Sequence, residues 1–223
     1  MNIHTCALFD LDGVIVDTAK YHFLAWKNVA LNLGYELSKE NNEKLKGVSR
    51  ADCLNIILKL AKLNLNKNSF NYYLKKKNDI YLDYVKSISS KNILPGISKA
   101  LNYLKEKNIK IGIGSASKNA RFIIEKLELI PFFEVIIDGN QIVNSKPDPE
   151  VFLKGSQALG VLPENCVVFE DSDSGIRAAK AAEMTAVAIG APEKFTKYDF
   201  CYPNFLPLVK SGLDELFTSK NYN

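Results

Sequence analysis

Past residue 94 the chain alternates short, almost wholly apolar runs with longer stretches in which apolar residues recur every three or four positions. Residues 109–115 (IKIGIGS), 134–138 (EVIID), 166–169 (CVVF) and Thr185–Ile189 (TAVAI) read as strands. Residues 118–129, about 149–159 and the Ala-rich 174–183 read as helices. Strands this apolar are covered on both faces, and strands separated by helices pair in parallel. The pattern predicts an α/β fold, a parallel sheet with helices on both sides. A further apolar run, Ala7 to Phe9, is expected as its central strand. Residues 194–208 show no regular pattern, and no role is assigned to them.

Residues 16–92 follow a different rule. Phe23, Trp26, Val29, Ala30 and Leu33 fall on one helical face, and Leu54, Ile57, Leu58 and Ala61 mark a second helix. Residues 70–85, rich in tyrosine and lysine, give a third, and the polar stretch 64–69 is expected to be a loop. No strand is visible. A helical insert therefore separates the first strand from the rest of the sheet, and Leu94-Pro95-Gly96 is its return turn.

Bulk properties narrow the function classes. A chain of 223 residues with 47% hydrophobic and 24% charged suits one large soluble domain or a core with a smaller companion. A net charge of +4, spread along the chain, suits a small anionic substrate and does not argue for nucleic acid. The densest run, Lys75-Lys76-Lys77, reads as a solvated helix face. Cysteines 6, 53, 166 and 201 lack metal-ligand spacing and are expected as free thiols. With no signal-like or membrane-length apolar stretch, the expected setting is cytoplasmic, without membrane partners.

The apolar run at residues 7–9 ends in Asp10-Leu11-Asp12-Gly13. Residues i and i+2 of a strand share a side, so both carboxylates can reach one site at the sheet's C-terminal edge, where open α/β sheets bind ligands. Two such acids can divide the labour, one as nucleophile or metal ligand and the other moving a proton. Later strand ends bring Ser115, then Lys146 in Ser145-Lys146-Pro147-Asp148-Pro149, then Glu170 and Asp171. In a parallel sheet these ends share one edge. Asp10, Glu170 and Asp171 offer hard oxygen ligands suited to Mg²⁺, while Ser115 and Lys146 can donate to phosphate. Backbone N–H groups at Leu11 and Ala116 can complete the cradle. The set suits phosphoryl transfer.

This order of motifs, Asp-x-Asp, then Ser, then Lys, then a carboxylate pair, resembles the haloacid dehalogenase superfamily over almost the whole chain. The resemblance implies a Rossmann-like core at 1–15 and 93–223 with an inserted helical cap at 16–92. It implies Asp10 as the nucleophile that becomes an aspartyl phosphate and Asp12 as general acid/base. It also implies Mg²⁺ held by Asp10, the Asp12 backbone carbonyl, Glu170 and Asp171, with Ser115, Ala116 and Lys146 on the transferring phosphate.

Asp17-Thr18, Tyr21-His22-Phe23, Trp26, Leu45-Lys46-Gly47-Val48-Ser49-Arg50, Lys77-Asn78-Asp79 and Ser115-Ala116-Ser117-Lys118-Asn119 resemble a sugar-phosphate mutase group within that superfamily. The implied reaction interconverts β-D-glucose 1-phosphate and glucose 6-phosphate, with glucose 1,6-bisphosphate as primer and intermediate, on a monomer. By that resemblance Thr18 and His22 join the catalytic set. Leu11, Trp26, Lys46, Gly47, Val48, Ser49, Arg50, Lys77, Ala116, Ser117 and Asn119 then bind substrate, with Arg50, Ser117 and Asn119 on the phosphate that does not transfer. His22 and Lys77 tie the cap to the core and align the acid/base. Asp148 departs toward the pattern of related phosphatases. A sugar-phosphate phosphatase and a catalytically silent phosphosugar sensor stand as alternatives.

Overall fold

The computed structural model describes residues 4–217; of the predicted core, 1–3 and 218–223 lie outside the described residues. The chain opens with strand β1 (Cys6–Phe9) and then enters four helices, α1 (Ala19–Asn32), α2 (Lys39–Glu43), α3 (Arg50–Ala61) and α4 (Lys67–Val85). Next come α5 (Ile97–Glu106), β2 (Lys110–Gly114), α6 (Ala120–Lys126), β3 (Val135–Ile137) and α7 (Glu150–Leu159). Strand β4 (Cys166–Glu170), α8 (Asp173–Ala181), β5 (Thr185–Ile189) and β6 (Phe200–Tyr202) follow.

All six strands pair in parallel, in the order β3-β2-β1-β4-β5-β6. The first strand is central, as its apolar run predicts. Alternation along β1 and β4 explains why both are apolar throughout. Ala7, Phe9, Val167 and Phe169 face one core cluster, and Cys6, Leu8, Cys166 and Val168 face the other. Phe9 stacks on Phe169 with ring centres 4.8 Å apart, which fixes the two strands that carry most of the acids. Cys6, Cys53 and Cys166 are buried free thiols and Cys201 is half-buried.

Two elements go beyond the expectation. Helix α5 buries Ile97, Ala100, Leu101 and Leu104, a helical spacing between the return turn and β2. Strand β6 falls inside the stretch expected to be irregular; it is a half-buried edge strand that pairs only with β5, so neither face leaves a continuous apolar run. The loop expected at 64–69 is corrected as well. Asn66 caps α4 by accepting from the Ser69 backbone N–H, so the polar residues from Lys67 onward form its first turn.

The insert has a small core of its own, built from Trp26, Val29, Ala30, Leu37, Leu45, Cys53, Leu54, Ile57 and Leu58. On its other side Ala25, Tyr81, Val85 and Ile88 join one of the sheet clusters. It leaves and re-enters the core at adjacent points: Val16 bridges Ile93, and the Leu94 N–H donates to the Ile15 carbonyl at 2.9 Å. Among the described residues no helix is long and apolar enough to cross a membrane.

Candidate active site

Strand β1 stops at Phe9, and the Asp10 N–H still donates to the Phe169 carbonyl at 2.9 Å. The chain then turns at Gly13, whose φ of +84° L-residues rarely adopt. A Cβ there would sit 2.1 Å from an Asp171 carboxylate oxygen, so only glycine lets this turn approach the carboxylate pair at the end of β4.

Lys146 knits the sheet edge together. Its Nζ donates to Asp10 Oδ1 at 2.6 Å, Glu170 Oε2 at 2.8 Å and the Gly114 carbonyl at 3.0 Å. All three ammonium protons are used, which is what keeps a fully buried charge tolerable. Burial alone would lower the lysine's pKa; Asp10 and Glu170 override it, and the net shift is upward. The other Glu170 oxygen accepts from the Asp171 and Ser172 N–H groups and from the Ser172 hydroxyl. Asp10, Glu170 and Asp171 bring ligand atoms within 4.8 Å of one another. Burial, then repulsion from Glu170, raises the pKa of both Asp10 and Asp171. Three crowded hard oxygen donors, with Asp10 and Asp171 both held back from ionising, fit a divalent cation, which would relieve that repulsion. The Asp12 side chain is not in this group.

Asp12 faces the other way. Its Oδ2 lies 3.5 Å from His22 Nε2, and its buried Oδ1 has no partner among the described residues. His22 Nδ1 lies 2.7 Å from Lys77 Nζ. A lysine ammonium only donates, so Nδ1 accepts and the ring proton sits on Nε2, toward Asp12. Burial, then Lys77, lowers the His22 pKa, which keeps the ring neutral. Lys77 is itself buried against the Trp26 and Tyr81 rings at 5.4 and 4.6 Å, and burial lowers its pKa to about 7.

The cleft runs from this edge to the insert. It is lined by Asp10, Asp12, His22, Trp26, Lys46, Gly47, Val48, Arg50, Lys77, Ser115, Ala116, Ser117, Asn119 and Asp171 of the predicted set. Ser115, nearly buried at the end of β2, accepts from the Ser117 N–H, and Ser117 Oγ accepts from the Asn119 N–H. Asn119 Nδ2 reaches Asn78 Oδ1 on α4 at 3.0 Å. Gly47, with φ +72°, lets the 46–48 turn press on the start of α8: a Cβ would lie 2.3 Å from Ser174 Oγ. Arg50, the first residue of α3, opens onto the cleft and forms no ion pair among the described residues.

Residues 7–189 match the model of the haloacid dehalogenase-like hydrolase family. The chain belongs to that family. It is 40% identical over 185 residues to the β-phosphoglucomutase of Bacillus subtilis, across 82% of each chain. It is 32% identical over 182 residues to a phosphorylated carbohydrates phosphatase of Thermotoga maritima, across 81% of this chain and 82% of the relative. A crystal structure of β-phosphoglucomutase from Clostridium difficile matches with a TM-score of 0.93 at 36% identity, covering 96% of this chain and 97% of that one. This haloacid dehalogenase-like hydrolase thus has both mutases and phosphatases among its relatives.

Not every predicted residue reaches the cleft of this family member. Lys146 and Glu170 lie beneath it, joined to Asp10. Leu11 and Thr18 are fully buried, with Leu11 in the sheet core. Ser49 is turned away to cap α3, where its Oγ accepts from the Asp52 N–H. Asp148 accepts from the Glu150 N–H in the first turn of α7 and does not line the cleft. Ala19, Asn42, Leu45, Cys53 and Lys118 line the cleft without having been singled out as site residues. Helical spacing is the available signal for two of them: Ala19 precedes His22 and Cys53 follows Arg50, each by three positions.

Proposed function

We propose that the protein is a Mg²⁺-dependent β-phosphoglucomutase that interconverts β-D-glucose 1-phosphate and glucose 6-phosphate, with glucose 1,6-bisphosphate as primer and intermediate. The observation that carries this reading is the cleft's second cationic end. Arg50, without an ion pair among the described residues, lines the same cleft as an edge that already holds Asp10 and Lys146, so the space suits a substrate with two phosphates. A guanidinium grips phosphate with two parallel hydrogen bonds, as a distal anchor requires. The likeness to the B. subtilis mutase supports the same reading.

Asp10, Glu170, Asp171 and the Asp12 backbone carbonyl would hold Mg²⁺, which offsets charge on the transferring phosphoryl group. An Asp10 carboxylate oxygen bonds to phosphorus as the bond from phosphorus to the sugar oxygen breaks, and Asp12 gives that oxygen its proton. In the reverse step Asp12 removes the proton from the attacking sugar hydroxyl, and the phosphoryl group leaves Asp10. His22 Nε2–H orients Asp12, and Lys77 fixes the His22 tautomer. Ser115, the Ala116 backbone and Lys146, which turns the N–H it gives Asp10 toward the arriving group, hold the phosphoryl oxygens; Arg50, Ser117 and Asn119 hold the second phosphate. The 16–92 insert acts as a cap that excludes water while Asp10 is phosphorylated.

A sugar-phosphate phosphatase is the second reading, favoured by the 32% identity to the T. maritima enzyme. Purified protein with Mg²⁺, β-glucose 1-phosphate and a trace of glucose 1,6-bisphosphate separates the two. Glucose 6-phosphate forming with little free phosphate, and only when primed, is the expected outcome. Glucose and phosphate rising together would assign the phosphatase instead.

A further inference from the structure

The insert is fastened to the sheet edge by hydrogen bonds, and one of them serves no site residue directly. Ser145 Oγ donates to Asp52 Oδ2 at 2.5 Å, joining positions 93 residues apart. Ser145 is a fixed point of the core: its carbonyl accepts from the Asp148 N–H, and the next residue is Lys146, pinned on Asp10 and Glu170. Asp52 is equally placed on the insert side. It lies in the first turn of α3, where Ser49 Oγ also donates to its Oδ2 at 2.6 Å, two residues after Arg50. One hydrogen bond therefore ties the turn that carries Arg50 to the loop that carries Lys146.

The surroundings suit a bond that opens and closes. Asp52 is exposed, and with Val143, Asn144, Ser145, Pro147 and Asp148 it lines a shallow depression open to solvent. Water competes for both partners there, so the net strength is modest and the bond exchanges readily. The other fastenings, Ser174 Oγ to the Lys46 carbonyl and Asn119 to Asn78, are half-buried and hold the cleft-lining turns themselves.

We infer that the Asp52–Ser145 hydrogen bond is the latch of the insert, and that it sets how often the phosphoryl group on Asp10 passes to sugar rather than to water. The second clause rests on the mutase reading; the first does not. Ser145 is a positioning residue, since it reaches Arg50 and Lys146 only through their supporting turns.

Ser145→Ala removes the donor and leaves the α3 cap untouched, whereas Ser145→Thr keeps the hydroxyl. Trp26, the single tryptophan, is 2% exposed and lines the cleft, so acrylamide quenching of its fluorescence reads opening without any activity. Ser145→Ala is expected to raise the quenching constant and the ratio of free phosphate to glucose 6-phosphate by roughly threefold to tenfold, the range of one modest hydrogen bond. Ser145→Thr restores both readouts. Unchanged quenching in Ser145→Ala overturns the latch, as does an equal shift in the alanine and threonine variants. A parent enzyme that releases only phosphate overturns the mutase reading, while the quenching comparison still decides the latch.

Discussion

The two walls of the cleft follow opposite electrostatic plans. On the sheet edge Lys146 donates to Asp10, Glu170 and Gly114, while the second Glu170 oxygen is filled by backbone and serine donors. On the insert wall Arg50 makes no ion pair among the described residues, and Lys77 has an imidazole and two aromatic faces instead of a carboxylate. A wall whose lysine is already bonded to two carboxylates and a carbonyl is held rigid before substrate arrives. A wall with unmatched cations keeps its hydrogen-bonding capacity for an anion. On the proposed reading the chemistry sits on the preorganised side, and recognition draws on the side that waits.

The widest separation between the walls should come from Lys146→Ala. Removing one member of a buried charge network leaves the others uncompensated, at about 3–5 kcal/mol. Turnover should fall about a thousandfold, the scale of losing one buried donor to a developing charge. Chemical denaturation and phosphoryl-transfer assays should therefore both register the change. A loss of turnover with stability intact would mean that the sheet edge does not depend on this network.

Arg50→Ala tests the other wall. Mutase kcat/KM should drop about 10- to 100-fold, the range of a charge-assisted hydrogen bond. Aryl phosphate hydrolysis and the melting temperature should hold, because that guanidinium forms no ion pair among the described residues. Equal losses on both substrates would remove the distal phosphate role.

Lys77→Met should move stability and activity in opposite directions. Burial holds this lysine at about 7, below its ordinary 10.5. Between those values the unfolded chain binds a proton that the native state does not, so native stability rises with pH across that window. Below it both states are protonated and the native state carries the whole burial penalty. Methionine should therefore stabilise the protein near pH 6, by on the order of 3 kcal/mol, and the advantage should fade between 7 and 10.5. Activity should fall at every pH, because His22 loses the donor that fixes its tautomer. Denaturation at several pH values checks the sign; a pH-independent gap would show that Lys77 is charged on both sides of the window.

The walls also differ in how much of them the sequence carries. The sheet edge is legible because strands buried on both faces leave unbroken apolar runs, and polar residues at their ends stand out against them: Asp10, Ser115, Glu170 and Asp171 all sit at such endings. The insert wall is harder to read, because its lining comes from helix faces and turns. In the run Lys46 to Arg50 the backbone turns Ser49 away as the cap of α3 and leaves Arg50 in the cleft. No local spacing announces that. Strand β6 escapes notice because an edge strand of three half-buried residues has no periodicity to show. The Asp52–Ser145 contact depends on how the insert seats on the core, which pairs residues far apart in the chain.

The smallest expected effect concerns Asp148, the residue whose type leans toward related phosphatases. Its Oδ1 accepts from the Glu150 N–H at 2.9 Å, satisfying a donor that the first turn of α7 would otherwise leave open. The side chain touches neither wall of the cleft. Asp148→Ala should lower stability by about 1 kcal/mol, the usual size of a lost helix cap. The ratio of sugar phosphate to free phosphate among the products should stay as in the parent. A changed ratio would mean that the α7 end transmits to the Lys146 loop, and the sheet edge would then be less rigid than its hydrogen bonds imply. An unchanged ratio places the choice between mutase and phosphatase chemistry on the insert wall, where the unmatched cations are.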